Sequence, residues 1–144
     1  MLPGTRVLVA DDDPELLDTI SDALTRLGAD VARSRNGAEL IDNLADKGPF
    51  DLVVTDIAMP WMTGVQAIHA ARSAGLGTPV IVMTGLRDEG IAVRVKALGK
   101  NAALLHKPFT LVELESLVTR FLAQHDDERT SSGDADVGAH RVAS

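Results

Sequence analysis

Short apolar runs alternate with segments of helical periodicity along almost the whole chain. Residues 7–10, 52–55 and 80–83 are continuous apolar or β-branched runs bounded by turn residues, the pattern of strands buried on both faces. Residues 29–34 form a more polar run, which predicts a strand at a sheet edge. Residues 102–106 supply a fifth strand. Between the first two runs, Leu16, Leu17, Ile20, Ala23, Leu24 and Leu27 recur at helical spacing, with Asp13 as N-cap, Pro14 at the first position and Gly28 as the stop. Asn36 and Glu39 have capping-box spacing ahead of Leu40, Ile41 and Leu44, and Lys47-Gly48-Pro49 ends that helix. Thr63 and Gln66 repeat the spacing, so a third helix is predicted from about Gly64 until Gly75, Gly77 and Pro79 break it. Thr110 and Glu113 open a last, strongly amphipathic helix through Leu111, Leu114, Leu117, Val118, Phe121 and Leu122.

The segment 87–99 fits two templates. Ile91, Val95 and Leu98 suit a helix, whereas Ile91, Val93 and Val95 suit a strand. The β-α alternation favours helix. Five β-α units imply an α/β fold, a doubly wound parallel sheet with helices on both faces and right-handed crossovers. With the apolar strands central and the polar one at an edge, the expected strand order is 2-1-3-4-5, the flavodoxin-like (βα)5 arrangement. The expected domain spans residues 5–125. Residues 126–144 are polar and rich in small side chains, and are expected to be a disordered tail.

Composition narrows the function classes. The chain has 144 residues, enough for one domain with a real core, and only 3% of them are aromatic, so that core is aliphatic. Cysteine is absent, which removes disulfides and thiolate chemistry. No apolar run approaches a membrane span, and no basic region followed by an apolar stretch marks a signal peptide, so a cytoplasmic location away from membranes is expected. A net charge of −7 argues against direct nucleic-acid binding and suits a surface that holds a divalent cation.

The predicted topology gathers chemistry at one edge of the sheet. Asp11 and Asp12 follow the first strand, Asp56 ends the third, Thr84 the fourth, and Lys107 the fifth. Asp13 has a structural role as a cap, but adjacent acids at a strand end repel each other unless a cation neutralises them. Three carboxylates are hard oxygen ligands that suit Mg²⁺. A hydroxyl and an ammonium beside them can neutralise the oxygens of a transferred phosphoryl group, and one carboxylate can itself be the nucleophile, forming an aspartyl phosphate.

With these residues in place, the motifs VLVADDDPE, DLVVTDIAMPWMTG, PVIVMTG and LLHKPF make the chain resemble the receiver domain of bacterial two-component response regulators, from about Thr5 to Gln124. The resemblance implies phosphorelay signalling, with Asp56 as phosphoacceptor and catalysis limited to the domain's own phosphorylation and dephosphorylation. It implies Mg²⁺, with Mn²⁺ as a stand-in, held by Asp11, Asp12, Asp56 and the backbone carbonyl of Ala58. Thr84 would hydrogen-bond the phosphoryl group, Lys107 would pair with it, and the bond to Pro108 would be cis. The implied partners are a sensor histidine kinase or histidine phosphotransfer protein, a downstream protein target, and a second copy in a homodimer to which an exposed Val93 would contribute. The chain is expected to be either a stand-alone, single-domain regulator, which Met1 and the polar ending favour, or a piece of a larger regulator or hybrid kinase. One position departs from the family: Leu104 stands where receivers often carry Tyr or Phe, so switching would rest on Thr84, the loop after it and segment 87–99.

Other readings fare less well. A haloacid-dehalogenase-type phosphatase would make Asp11 the nucleophile, with Asp13 completing its first motif, but Glu15 stands where that family wants Thr or Val and no acidic pair follows Lys107. A flavin binder needs a hydroxyl- and glycine-rich phosphate loop after the first strand, where this chain has three acids. Trp61, the sole tryptophan, reads as a loop residue placed to report Mg²⁺ by fluorescence. His69, His106, His125 and His140 lack metal-ligand spacing.

Overall fold

The computed structural model describes residues 2–57, 78–85, 89–96 and 101–135. Ala58, Trp61, the helix expected from about Gly64, and the two ends of segment 87–99 lie outside them. Five strands, β1 (Arg6–Ala10), β2 (Asp30–Ser34), β3 (Leu52–Asp56), β4 (Val80–Thr84) and β5 (Ala102–His106), pair in parallel in the order β2-β1-β3-β4-β5. This is the flavodoxin-like order. The apolar runs occupy the middle: β3 and β4 are buried along their whole length, and in the polar β2 only Ser34 is buried.

Alternation along the strands gives the sheet two apolar faces. Leu8, Ala10, Val53, Val80 and Val82 pack beneath Leu40 and Leu44 of α2 (Gly37–Asp46) and Val95 of α3 (Glu89–Lys96). Val7, Val9, Leu52, Val54, Ile81 and Met83 pack beneath Leu17, Ile20 and Leu24 of α1 (Pro14–Arg26) and Leu114, Val118 and Phe121 of α4 (Leu111–Ala135). The ambiguous segment is therefore helical between Glu89 and Lys96. Val93 is 66% exposed while Val95 is buried. A strand would put both on one face, whereas a helix turns them about 200° apart.

The caps follow the sequence signals closely. Asp13 accepts hydrogen bonds from the Glu15 and Leu16 amides. Gly28, at φ 100°, lets its own amide reach Thr25 O and that of Ala29 reach Leu24 O, a backbone shape that a side chain would oppose. Thr110 and Glu113 form a reciprocal box, each side chain accepting the other's amide. Asn36 Oδ1 accepts the Glu39 amide, but the Glu39 side chain reaches back to the amide of Arg35, one residue earlier than a capping box requires. The boundary expected at residue 125 falls inside α4, which runs on to Ala135. Gln124 to Thr130 contains no breaker and includes Glu128 and Arg129; an established helix adds a hydrogen bond for each residue it fixes. Among the described residues, no helix is long and apolar enough to cross a membrane.

Candidate functional site

The site grows from the pleat. On the face beneath α1 and α4, the β1 row Val7, Val9 continues to Asp11, the β3 row Leu52, Val54 ends at Asp56, and the β5 row Ala103, Leu105 continues to Lys107. Each row is apolar until it reaches the carboxyl edge, where one polar residue takes the next position. The register Ala10↔Thr55 sets Asp11 beside Asp56 on adjacent strands. In β4 the corresponding row runs Ile81, Met83, Gly85, with Thr84 beside it at the last position of the strand.

The carboxylates converge. Asp11, Asp12 and Asp56 can each present an oxygen so that all three lie within 4.8 Å of one another. Asp11 is fully buried, Asp56 is 7% exposed, and Asp12 is open to solvent. The Lys107 ammonium donates to Asp11 Oδ2 at 3.1 Å and lies 3.4 Å from Asp56 Oδ1. Burial opposes its charge, but the Asp56 and Asp11 carboxylates outweigh that effect and hold its pKa above the ordinary lysine value. Asp11 Oδ1 accepts the Asp13 amide at 2.9 Å, so both Asp11 oxygens are engaged. Thr84 is fully buried, and its carbonyl accepts the Lys107 amide at 2.7 Å. The Lys107–Pro108 peptide bond is cis.

Among the described residues, one ammonium faces three carboxylates and does not balance them. Hard oxygen donors at this spacing, one of them facing water, match the needs of a divalent cation that keeps part of its hydration shell. The donor set therefore fits Mg²⁺. Ala58 lies outside the described residues. Leu104 is half-buried and packs against the cluster that contains Val80, Val82 and Val95. Two residues that the sequence reading did not single out also reach this edge. Ser34 ends β2 fully buried, its hydroxyl accepting from Asn43 of α2, and its carbonyl accepts the Asp11 amide. No local pattern marks this pair, because it forms only once α2 lies across β2.

Comparison with known proteins agrees with this geometry. A family model for the response regulator receiver domain matches residues 7–119. The DNA-binding transcriptional regulator NtrC of Rhizobium meliloti (strain 1021) is 36% identical over 124 residues, covering 85% of this chain and 25% of that protein. The transcriptional regulatory protein PrrA of Mycobacterium tuberculosis is 35% identical over 130 residues, covering 90% of this chain and 54% of that one. The chain thus spans between a quarter and about half the length of these curated relatives. Among solved structures, the receiver domain of the Francisella response regulator 1452 superposes with a TM-score of 0.77 at 27% identity, covering 85% of this chain and 99% of that one. The chemotaxis response regulator CheY4 of Vibrio cholerae gives 0.73 at 28% identity, covering 81% and 98%. Nothing in this set favours the haloacid-dehalogenase reading. From its fold, its acidic strand edge and these matches, the chain belongs to the response regulator receiver domains, the phosphoacceptor domains of two-component signalling.

Proposed function

We propose that Asp56 accepts a phosphoryl group from a phosphohistidine of a sensor kinase or a histidine phosphotransfer protein, and that the modified domain changes its contacts with a downstream protein. The observation that carries this reading is the convergence at one strand edge: Asp56 ends a central strand with carboxylate oxygens of Asp11 and Asp12 within 4.8 Å and the Lys107 ammonium 3.4 Å from its Oδ1. An Asp56 oxygen attacks phosphorus, an oxygen–phosphorus bond forms, and the nitrogen–phosphorus bond breaks. The electron pair leaves with the imidazole nitrogen, which is then protonated.

Asp11, Asp12, Asp56 and the Ala58 carbonyl would hold Mg²⁺, or Mn²⁺ in its place, which when bound neutralises charge on the phosphoryl oxygens. The remaining roles belong to the chain itself. Lys107 supplies a fixed positive charge to the phosphoryl group, and its raised pKa keeps that charge present at neutral pH. Thr84, at the end of the neighbouring strand, donates its hydroxyl. Leu104 takes the place of an aromatic residue in any switch that follows. The reaction is one turnover on the protein's own side chain, in the cytoplasm, within a domain that begins near residue 5 and whose last helix runs to Ala135. The surface of α3, β5 and α4 carries exposed Val93 and Val112 for contact with a partner or a second copy.

The test is intact mass after incubation with acetyl phosphate, with and without Mg²⁺, for wild type, Asp56→Asn and Asp11→Asn. A Mg²⁺-dependent gain of one phosphoryl group that is lost in Asp56→Asn is expected. A gain that survives in Asp56→Asn and vanishes in Asp11→Asn would overturn the assignment.

A further inference from the structure

From the contacts at the end of β2 we infer that Asn43 is a positioning residue for Asp11, and through it for the metal-binding carboxylates. The inference rests on the proposed reading, in which Asp11 is a metal ligand. The problem it answers is physical. β2 is an edge strand with β1 as its single neighbour, and only its last residue, Ser34, is buried. Such a strand gains little from burial and tends to fray where it ends. Yet that end carries a contact the site needs, because the Asp11 amide donates to Ser34 O at 3.1 Å.

Asn43 occupies the position a second neighbour would fill. From α2 its side-chain amide donates to Ser34 Oγ at 2.7 Å and to Arg33 O at 3.1 Å. One amide group thus ties the last two residues of β2 to the helix that covers them. Ser34 is fully buried, so without Asn43 its hydroxyl would lose its partner away from water, which costs about 1–3 kcal/mol. The chain of contacts runs from the α2 amide to the end of β2, then to the Asp11 backbone, and then to a carboxylate whose oxygens are held by Asp13 and Lys107. Outer-sphere groups of this kind set ligand direction, and a metal site registers sub-ångström errors in it.

The experiment is Mg²⁺ binding by titration calorimetry, paired with amide hydrogen exchange by NMR, on wild type, Asn43→Ala and Ser34→Ala. The Ile57 amide, which donates to Met83 O at the same edge, is the internal control. Wild type must bind Mg²⁺; a wild type that does not would remove the proposed reading and this inference together. In Asn43→Ala the affinity should fall about tenfold, the lower end for outer-sphere changes. The Asp11 amide should exchange faster while Ile57 keeps its protection. Ser34→Ala should give a smaller loss of the same kind, because Asn43 still holds Arg33 O. It also keeps the inference testable if Asn43→Ala folds poorly. Wild-type affinity in both folded variants would overturn the inference and leave the metal site standing. So would faster exchange of Asp11 and Ile57 in step, since that is general loosening of the sheet.

Discussion

The two ends of the sheet solve opposite problems with the same residue types. At the amino end, Arg6 is matched on every side. Its guanidinium donates to the carbonyls of Lys47 at 2.6 Å and Pro49 at 3.0 Å, pairs with Asp30 at 3.4 Å, and lies 4.8 Å from the centre of the Phe50 ring. Its backbone exchanges hydrogen bonds with Asp51 in both directions. One cation there joins β1, the edge strand and the loop into β3. At the carboxyl end, one lysine faces a cluster of three carboxylates, two of them buried. The first arrangement satisfies its charges and serves the fold. Among the described residues the second leaves negative charge in excess, which works against the fold and serves a cation. Stability and function thus sit at opposite ends of the same strands, about five residues apart along each strand.

That division can be broken from either side. Arg6→Ala should cost about 2 kcal/mol through lost charged hydrogen bonds and stacking. The melting temperature should fall by about 7 °C. Phosphoryl acceptance, measured well below the melting point, should stay at the wild-type level; a parallel loss would mean the two ends are not separable. Mg²⁺ at ten times its dissociation constant should stabilise the wild type by about 1.4 kcal/mol, a rise of about 5 °C in thermal melts. Equal stabilisation of Asp56→Asn would place the cation elsewhere. Without metal, Asp56→Asn should melt about 3 °C higher than wild type, because it trades one attraction to Lys107 for relief from two carboxylates. A lower melting temperature would show that Lys107 already balances the cluster.

The amino acid pattern makes the carboxyl end far more legible than the amino end. Asp11, Asp56, Thr84 and Lys107 stand out because each interrupts or closes an apolar run, and strand ends in a parallel sheet share one edge. Arg6 sends no such signal. It is a basic residue ahead of a strand, and its partners lie 24 to 45 positions away. Asn43 is equally silent, since nothing in an amphipathic helix predicts which strand residue its polar side will meet. Segment 87–99 was balanced between two periods until the packing of Val95 and the exposure of Val93 separated them. α4 continues past residue 125 for a different reason: composition marks where apolar residues stop, and an established helix adds a hydrogen bond for each further residue it fixes.

The smallest effect tests whether a matched pair at the carboxyl end behaves like the matched pairs at the other. Glu39 accepts from the Arg35 guanidinium at 3.0 Å and from the Arg35 amide at 2.7 Å. The side-chain hydrogen bond to Arg35, then the backbone one, hold its pKa below the usual glutamate value against a small opposing effect of burial. A carboxyl group whose pKa is lowered by folding contributes stability that is fully present above its unfolded pKa. That contribution disappears as pH falls through the lowered folded value. Glu39→Gln keeps an acceptor for the Arg35 amide and removes the charge. At neutral pH it should therefore melt slightly below wild type, by less than any shift given above, and the two curves should converge as pH drops through and below the glutamate range. Added salt should narrow the gap in the same way, because the pair is largely open to solvent. A gap that persists in acid would assign Glu39 to neutral capping. A change in Mg²⁺ affinity in this variant would instead extend the metal site to the start of α2, and the line between the satisfied and unsatisfied ends would have to be redrawn there.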